Sequence, residues 1–516
     1  MTEISPILRV VQAVNFLILF GWLVLTIVAL IRLRRCRLSE VARVLWVIVM
    51  GVCILVARTL TACSSTNELT LDVTSTPEAP ATTTAPEQAP PVTPVATPTM
   101  PAPRLGKLAY VQEGDIWVKE LPDGEPQRLT TDGRNAVPRW SPSGDWLTFH
   151  KGDWQAFHRG DEVWLVRADG TDAHHVPAAS PRDCTWSPVG DRLAYVSGQT
   201  ALCIVDTDDL ADTGPGGEGR VLLQSAIEEE EPLTRIQDVV WSPDGRKLAY
   251  VLLSGRPGGP PERVSLGYVD LESGPRELYA PPSPPQDGLV PAGWAPDGQS
   301  ILFWRDPMFS ASIMADGLPL EILPLDGGEP KDVADFTLLH ADFWSSSPTG
   351  QHVALTVGAG RETWTNKRIA LVDLETGGME YLTDERMAAF SPAFSPDGEK
   401  IAYAAALDIG HAWGGDAAKL GIAHRRIWVM SADGSEEHPL TGDPAYRDER
   451  PLWSADGAHI LFARMTESGH ASLWLVNVTG GDLRRVVDQL SPAPEWFGVY
   501  GYIEWDTFFD WWTCPG

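Results

Sequence analysis

The chain has 516 residues, 40 Lys and Arg against 69 Asp and Glu for a net charge of −29, and 43 Pro, 47 Gly, 21 Trp and 6 Cys. That charge repels phosphate backbones and excludes nucleic-acid binding through a basic surface. Glycine without a three-residue period, together with a hydrophobic fraction of 43%, excludes collagen and wholesale disorder.

Residues 1–63 carry seven Arg and two acids, whereas the remainder carries 33 bases and 67 acids. Between Val10 and Ile31 lie 22 residues without charge. An α-helix needs ~20 residues to cross a bilayer, so a transmembrane helix is expected at about 10–31. Arg32, Arg34, Arg35, Arg37 and Arg43 follow, and the positive-inside rule places this short loop in the cytoplasm. A second apolar run, Val44 to Ala57 before Arg58, gives a second membrane or signal segment at about 44–60.

Leu60-Thr61-Ala62-Cys63 resembles a bacterial lipobox, which implies that Cys63 is diacylated and becomes a new N-terminus. The alternative is an uncleaved two-helix anchor. Ser39-Glu-Val-Ala-Arg-Val-Leu-Trp-Val-Ile48, and residues 10–58 around it, resemble the N-terminal two-helix segment of phospholipase-D-type cardiolipin synthases. Both readings put the chain after residue 63 on the extracytoplasmic side of a bacterial cell membrane. Residues 64–104 hold 9 Pro and 10 Thr among 41 and almost no large apolar side chains. They bury too little surface to fold and read as a disordered tether.

From residue 105 to 516 one short turn recurs seven times. The copies are Trp140-Ser-Pro-Ser-Gly-Asp145, Trp186-Ser-Pro-Val-Gly-Asp191, Trp241-Ser-Pro-Asp-Gly-Arg246, Trp294-Ala-Pro-Asp-Gly-Gln299, Ser346-Ser-Pro-Thr-Gly-Gln351, Phe394-Ser-Pro-Asp-Gly-Glu399 and Trp453-Ser-Ala-Asp-Gly-Ala458. Their lead residues are 46, 55, 53, 52, 48 and 59 apart. Pro presets φ near −65°, Asp or Ser binds the local backbone, and Gly144, Gly190, Gly245, Gly298, Gly350, Gly398 and Gly457 supply positive φ. Each copy runs into an apolar strand such as Lys247-Leu-Ala-Tyr-Val251, then a second such as Arg426-Ile-Trp-Val429, then a short last strand such as His438-Pro-Leu-Thr441.

Four antiparallel strands per repeat make a blade of an all-β propeller. The lead aromatics Trp140, Trp186, Trp241, Trp294, Phe394 and Trp453 are expected to pack between neighbouring blades. Inner-type strands number eight, from Asp115-Ile-Trp-Val118 to Ser472-Leu-Trp-Leu-Val476, while the turns number seven. The first blade therefore needs an opening strand from elsewhere, and a segment around 496–505 is expected to supply it and close an eight-bladed ring. Seven blades is the alternative. The aromatic tail Phe508, Phe509, Trp511 and Trp512 is expected to plug the base of the ring.

These turns followed by aliphatic strands resemble the TolB-type, WD-repeat-like propeller repeats found in TolB and in prolyl oligopeptidases. The resemblance covers about 80% of the chain and implies the fold, with function following only by analogy. Ser346 in place of the lead aromatic and Ala455 in place of Pro mark two blades as departures. The oligopeptidase comparison ends at the propeller, since no Gly-x-Ser-x-Gly elbow is present.

His-Glu-x-x-His, Cys-x-x-Cys and phosphate-loop motifs are likewise missing, so no catalytic residue, metal ligand or cofactor is assigned. His174-His175, Asp206 with Asp208, Asp209 and Asp212, and Glu228 to Glu231 read as solvated loops before they read as ion sites. An insertion from Leu407 to His424, with His411, Trp413, Asp416 and His424, is the candidate recognition loop. Cys184 and Cys203 fall on the first and third strands of one blade, ~9.5 Å apart, too far to bridge. The reading that follows is a membrane-tethered propeller acting as a binding or scaffold module for a protein or peptide partner. The alternative is a hydrolase or lyase acting on a peptide or glycan at the channel mouth.

Overall fold

Ser, Asp and Gly in the repeated turn satisfy one another and leave the chain only one way to reverse. In a computed structural model that describes residues 104–152, 162–178, 184–207, 219–225, 233–256, 260–283, 285–307, 311–410 and 414–513, Ser242 Oγ donates to Asp244 Oδ1 at 2.6 Å. The same carboxylate accepts the Arg246 N–H at 3.0 Å, and the Lys247 N–H returns to Ser242 Oγ at 2.8 Å. Ser395 with Asp397 and Ser454 with Asp456 repeat the pattern. The last turn keeps it although Ala455 stands where the others have Pro. All seven turn glycines have positive φ, from +64° at Gly245 to +81° at Gly350, where a side chain would be strained.

Each turn joins an inner strand to the next strand outward, for example Leu233–Trp241 to Lys247–Gly255. Among the described residues, 32 strands form six four-stranded sheets and one eight-stranded sheet. In the larger sheet, Lys331–Thr337 and His352–Val357 meet through a single pair, Thr337 with Val357. Apolar side chains of successive sheets interleave: Val196 and Leu202 pack with Trp241 and Tyr250, and Val251 and Leu266 with Ile301 and Phe303. The core thus lies between sheets, as in a β-propeller.

The chain ends meet in one sheet. Phe509–Trp512 pairs antiparallel with Gly106–Gln112, Leu108 opposite Trp511 and Lys107 opposite Trp512. A closing strand was expected near 496–505, but that stretch carries the isolated bridge Val499 to Tyr502 and opens the 3-10 turn Trp505–Thr507. The tail is also a strand rather than a plug, with Phe509 2% and Trp511 7% exposed. Pairing the two ends removes the free edges that an open ring would present.

Four of the five lead tryptophans latch their sheet to the one before, Trp140 being the exception. The indole N–H of Trp186 donates to Arg139 O at 3.2 Å, Trp241 to Thr185 O at 3.1 Å, Trp294 to Val240 O at 3.0 Å and Trp453 to Ala393 O at 2.9 Å. Every acceptor is the residue just before the preceding lead aromatic. Trp294→Phe keeps the ring and removes the donor, so it is expected to cost about 1 kcal/mol in urea unfolding; a loss under a quarter of that would mean the latch carries no stability.

Where Ser346 replaces the lead aromatic, Trp344 takes over the packing. Its ring covers Gly293, where an added Cβ would come within 2.4 Å of the indole. Cys184 and Cys203 lie on the first and third strands of their sheet, each opposite Tyr195 on the strand between them. The expected membrane helices at 10–31 and 44–60, Cys63 and the tether lie outside the described residues. Among the described residues no helix is long and apolar enough to cross a membrane.

Candidate functional site

The inner strands carry a repeated irregularity that no turn motif announces. Three residues before the lead aromatic, Val137, Asp238, Ser391 and Arg450 adopt φ of +55°, +55°, +56° and +58°, each at a break in register with the neighbouring strand. Bulges re-aim side chains, and non-glycine residues with positive φ are strained positions that cluster at functional sites. Pro291 holds the equivalent place before Trp294 beside a further register break.

Around part of the axis these positions are spent on one another. Ser391 Oγ donates to Asp342 Oδ2 at 2.6 Å, Tyr502 Oη donates to Asp342 Oδ1 at 2.6 Å, and Arg450 lies 3.8 Å from the same carboxylate. Asp506 pairs with Arg139 at 2.6 Å. Burial pushes the Asp506 carboxyl up, but Arg139 and Arg450 outweigh it and hold the group below its ordinary range. His340 stacks on Tyr502 with ring centroids 3.8 Å apart, and burial drives it down to about 4 against the pull of Asp342 and Asp506.

Tyr502 and Asp506 belong to a strap, residues 490–508, that leaves the sheet of Tyr446–Trp453 and crosses to other sheets before the closing strand. Tyr500 O accepts the Thr363 N–H at 3.0 Å. Gly501 O accepts Arg425 and Arg447; Gly501 has φ +85°, and a Cβ there would meet Thr363 and Trp364 within 3.0 Å. Glu449 anchors the strap, taking Arg425 Nη1 at 2.5 Å, Arg447 Nη2 at 2.9 Å and the Trp505 indole at 2.8 Å. Although burial alone would raise it, these two guanidiniums hold Glu449 below the usual carboxylate range.

His340 makes stability depend on pH. Unfolded, it takes a proton near 6.5; folded, only near 4. Its contribution is complete above pH 6.5 and is lost as pH falls toward 4, by up to about 3 kcal/mol. The expected result is that His340→Phe loses less stability than the unaltered protein between pH 7 and 4 in urea titrations; parallel losses would remove His340 as the cause.

Beside this filled region a cavity of about 590 Å³ opens onto the inner strands. Asp238 to Val240, Pro291 and Ala292, Trp304, Leu339, Ala341 and Trp344 to Ser346 line it. Trp304 is fixed by donating its indole N–H to Thr337 Oγ1 at 2.7 Å. Gln237 Nε2 donates to Asp238 Oδ2 at 2.8 Å. This volume suits a ligand pocket.

The sequence-derived candidates fall elsewhere. Lead aromatics and turn glycines sit at the latches and turns, away from the cavity lining. In the insertion, Asp416 stands in the first turn of the helix Gly415–Ala423 and His424 follows its last residue; Asp416 pairs with Lys419 at 4.0 Å and the His424 N–H caps Leu420 O. They do not converge on the cavity, and His411 and Trp413 lie outside the described residues. His174 and His175 pack against Trp146 and Trp164. Asp208, Asp209, Asp212 and Glu228 to Glu231 also lie outside the described residues, and among those described no group of acids, His and Cys converges as a metal site. Sequence reasoning missed Asp238, Asp342, Ser391, Arg450 and Asp506. The available signal was the fixed place of three of them, three residues ahead of the lead aromatic.

No family model matches the chain. It is 26% identical to an uncharacterized peptidase, YuxL, of Bacillus subtilis over 47% of this chain and 31% of that protein. It is 40% identical to the Tol-Pal system protein TolB of Zymomonas mobilis over 14% of this chain and 15% of TolB. The matched stretches thus span less than a third of these relatives. Among solved structures, dipeptidyl peptidase 4 of Porphyromonas gingivalis superposes with a TM-score of 0.50 at 11% identity, covering 76% of this chain and 61% of that one. With the sheets and their closure, these likenesses give the chain a TolB-like β-propeller fold.

Proposed function

We propose that this chain is a membrane-tethered, extracytoplasmic propeller of eight blades, 105–516, that binds a protein or peptide partner without catalysing a reaction. The eight blades are the six four-stranded sheets and the two halves of the eight-stranded sheet. The anchor rests on residues 1–63, with Cys63 lipidated or two helices retained, and the tether on 64–104. One observation carries the binding reading. The ionisable groups on the filled side of the axis are bonded to one another and to the strap, while the adjacent cavity offers indoles, hydroxyls and one carboxylate. Such a lining recognises a ligand; general acid–base chemistry needs groups poised to exchange protons at a shared atom.

A hydrolase or lyase acting on a peptide or glycan is the second reading, favoured by the similarity to a protein named a peptidase. The test is crosslinking and co-purification from cells carrying the full-length chain, compared with a form starting at Arg104. A stoichiometric protein retained by the full-length chain supports the binding reading. Turnover of peptide or glycan substrates with no retained partner would replace it with the second.

A further inference from the structure

Resting on that binding reading, we infer that the cavity takes an uncharged aliphatic side chain of a peptide, its terminal methyl seated against the Trp304 and Trp344 indoles. Ala292, Trp304 and Trp344 line the cavity and also border an adjoining recess of about 10 Å³. The other walls of that recess include Leu302, Leu320, Phe343 and Leu355. The hydroxyl at its edge, Thr337 Oγ1, already accepts the Trp304 indole N–H at 2.7 Å and lies 3.4 Å from Leu318 O. A water placed there would find too few polar partners, so the recess stays dry, and its size is about that of one water or one methyl group.

Repeat position makes this arc of the axis apolar. Two places before the lead residue stand Val239, Ala292 and Trp344, on the three inner strands around the cavity. Each ligand class meets these walls differently. A cation finds the carboxylate of the lining, Asp238, already engaged within its own chain. An anion is repelled by a chain of net charge −29. An aromatic ring is too wide for a methyl-sized recess and would leave it empty, forfeiting the contacts of its walls. An aliphatic chain fills the recess and lays its methylenes along the indole faces, gaining with each one taken out of water. The Ser345 and Ser346 hydroxyls, in the same lining, meet the backbone of the peptide that carries it.

The experiment uses the full-length chain in lipid nanodiscs, labelled with 5-fluorotryptophan, the Trp304 and Trp344 resonances being assigned through Trp304→Phe and Trp344→Phe. Capped tripeptides, acetyl-Gly-norleucine-Gly-amide and its lysine, alanine and phenylalanine counterparts, are titrated to millimolar concentration. A parallel titration uses n-butanol, the same aliphatic chain without a peptide. The norleucine peptide is expected to shift both resonances saturably, roughly tenfold more tightly than the lysine and alanine peptides and several-fold more tightly than the phenylalanine peptide or n-butanol. Ala292→Leu, which fills the mouth of the recess, is expected to weaken the norleucine peptide roughly tenfold without lowering the melting temperature. Glu380→Gln, on the outer strand Met379–Tyr381, is expected to change nothing. The peptide series needs no substitution, so it decides even where Ala292→Leu folds poorly.

Equal affinity for the lysine, alanine or phenylalanine peptide, or unaltered affinity in a folded Ala292→Leu, overturns the aliphatic assignment and leaves the binding reading standing. Equal affinity for n-butanol overturns the peptide as its source. Silence with all four peptides while a partner co-purifies overturns the assignment to this cavity alone. Silence together with no partner overturns both.

Discussion

Removal of residues 507–516 is expected to lower the melting temperature by on the order of 10 °C or more and to make the protein prone to association. The deletion takes away Phe509–Trp512, the strand that pairs with Gly106–Gln112. Phe508, Phe509 and Trp511 are 5%, 2% and 7% exposed and pack in one cluster with Leu108, Tyr110 and Leu473. Truncating one buried aromatic costs about 3–5 kcal/mol, and three go together here. The inner edge of Gly106–Gln112 is then left unpaired, a template for another chain. Trp511→Ala is the milder form, since it keeps the strand but loses the ring and its hydrogen bond to Leu105 O at 3.0 Å; it is expected to cost about 3 kcal/mol. Calorimetry of both forms checks this, and unchanged melting of the deletion would show that the ring does not close through this strand.

That closure shows how far the sequence could be read. The turns were legible because their chemistry is contained in five residues: Ser242, Asp244, Gly245 and the amides of Arg246 and Lys247 complete one another without help from the rest of the chain. Lead aromatics were legible as interblade residues for the same reason of spacing. Closure was foreseen from eight inner-type strands set against seven turns, but its position was not, since Phe509–Trp512 has four residues and three aromatics, a pattern that fits a plug as well as a strand. Trp344 was hidden because it does the work of a missing aromatic from two places upstream of Ser346.

The axis was hardest to see, for a physical reason. Val137, Asp238, Ser391 and Arg450 share a backbone conformation and a repeat position but no chemistry, so no motif picks them out. Their partners come from far along the chain: Asp342 meets Tyr502 across 160 residues, and Arg139 meets Asp506 across 367. Only the closed ring brings such pairs together, and loops on a rigid scaffold can reach the same point from any repeat.

Glu449→Ala is expected to cost about 3–5 kcal/mol, the largest effect of any single substitution here. Glu449 is 1% exposed and touches Arg425 and Arg447, themselves 1% exposed each. Without the carboxylate, two guanidiniums stay buried beside each other with Gly501 O, Thr363 and Trp496 O as their remaining polar partners. The Trp505 indole loses its acceptor as well. Glu449→Gln keeps the shape and one acceptor but still removes the charge, so most of the loss is expected to remain. Because the two arginines hold the Glu449 carboxyl below its ordinary value, its contribution is present above pH ~4.5 and fades as pH falls further. The damage begins locally, since Glu449 joins the inner strand Tyr446–Trp453 to the strap. Proteolysis within 496–508 is therefore expected to precede global unfolding in Glu449→Ala but not in the unaltered chain. Urea denaturation with timed proteolysis measures both, and a cost under about 1 kcal/mol with an intact strap would show that hydrogen bonds to the backbone alone hold the two arginines.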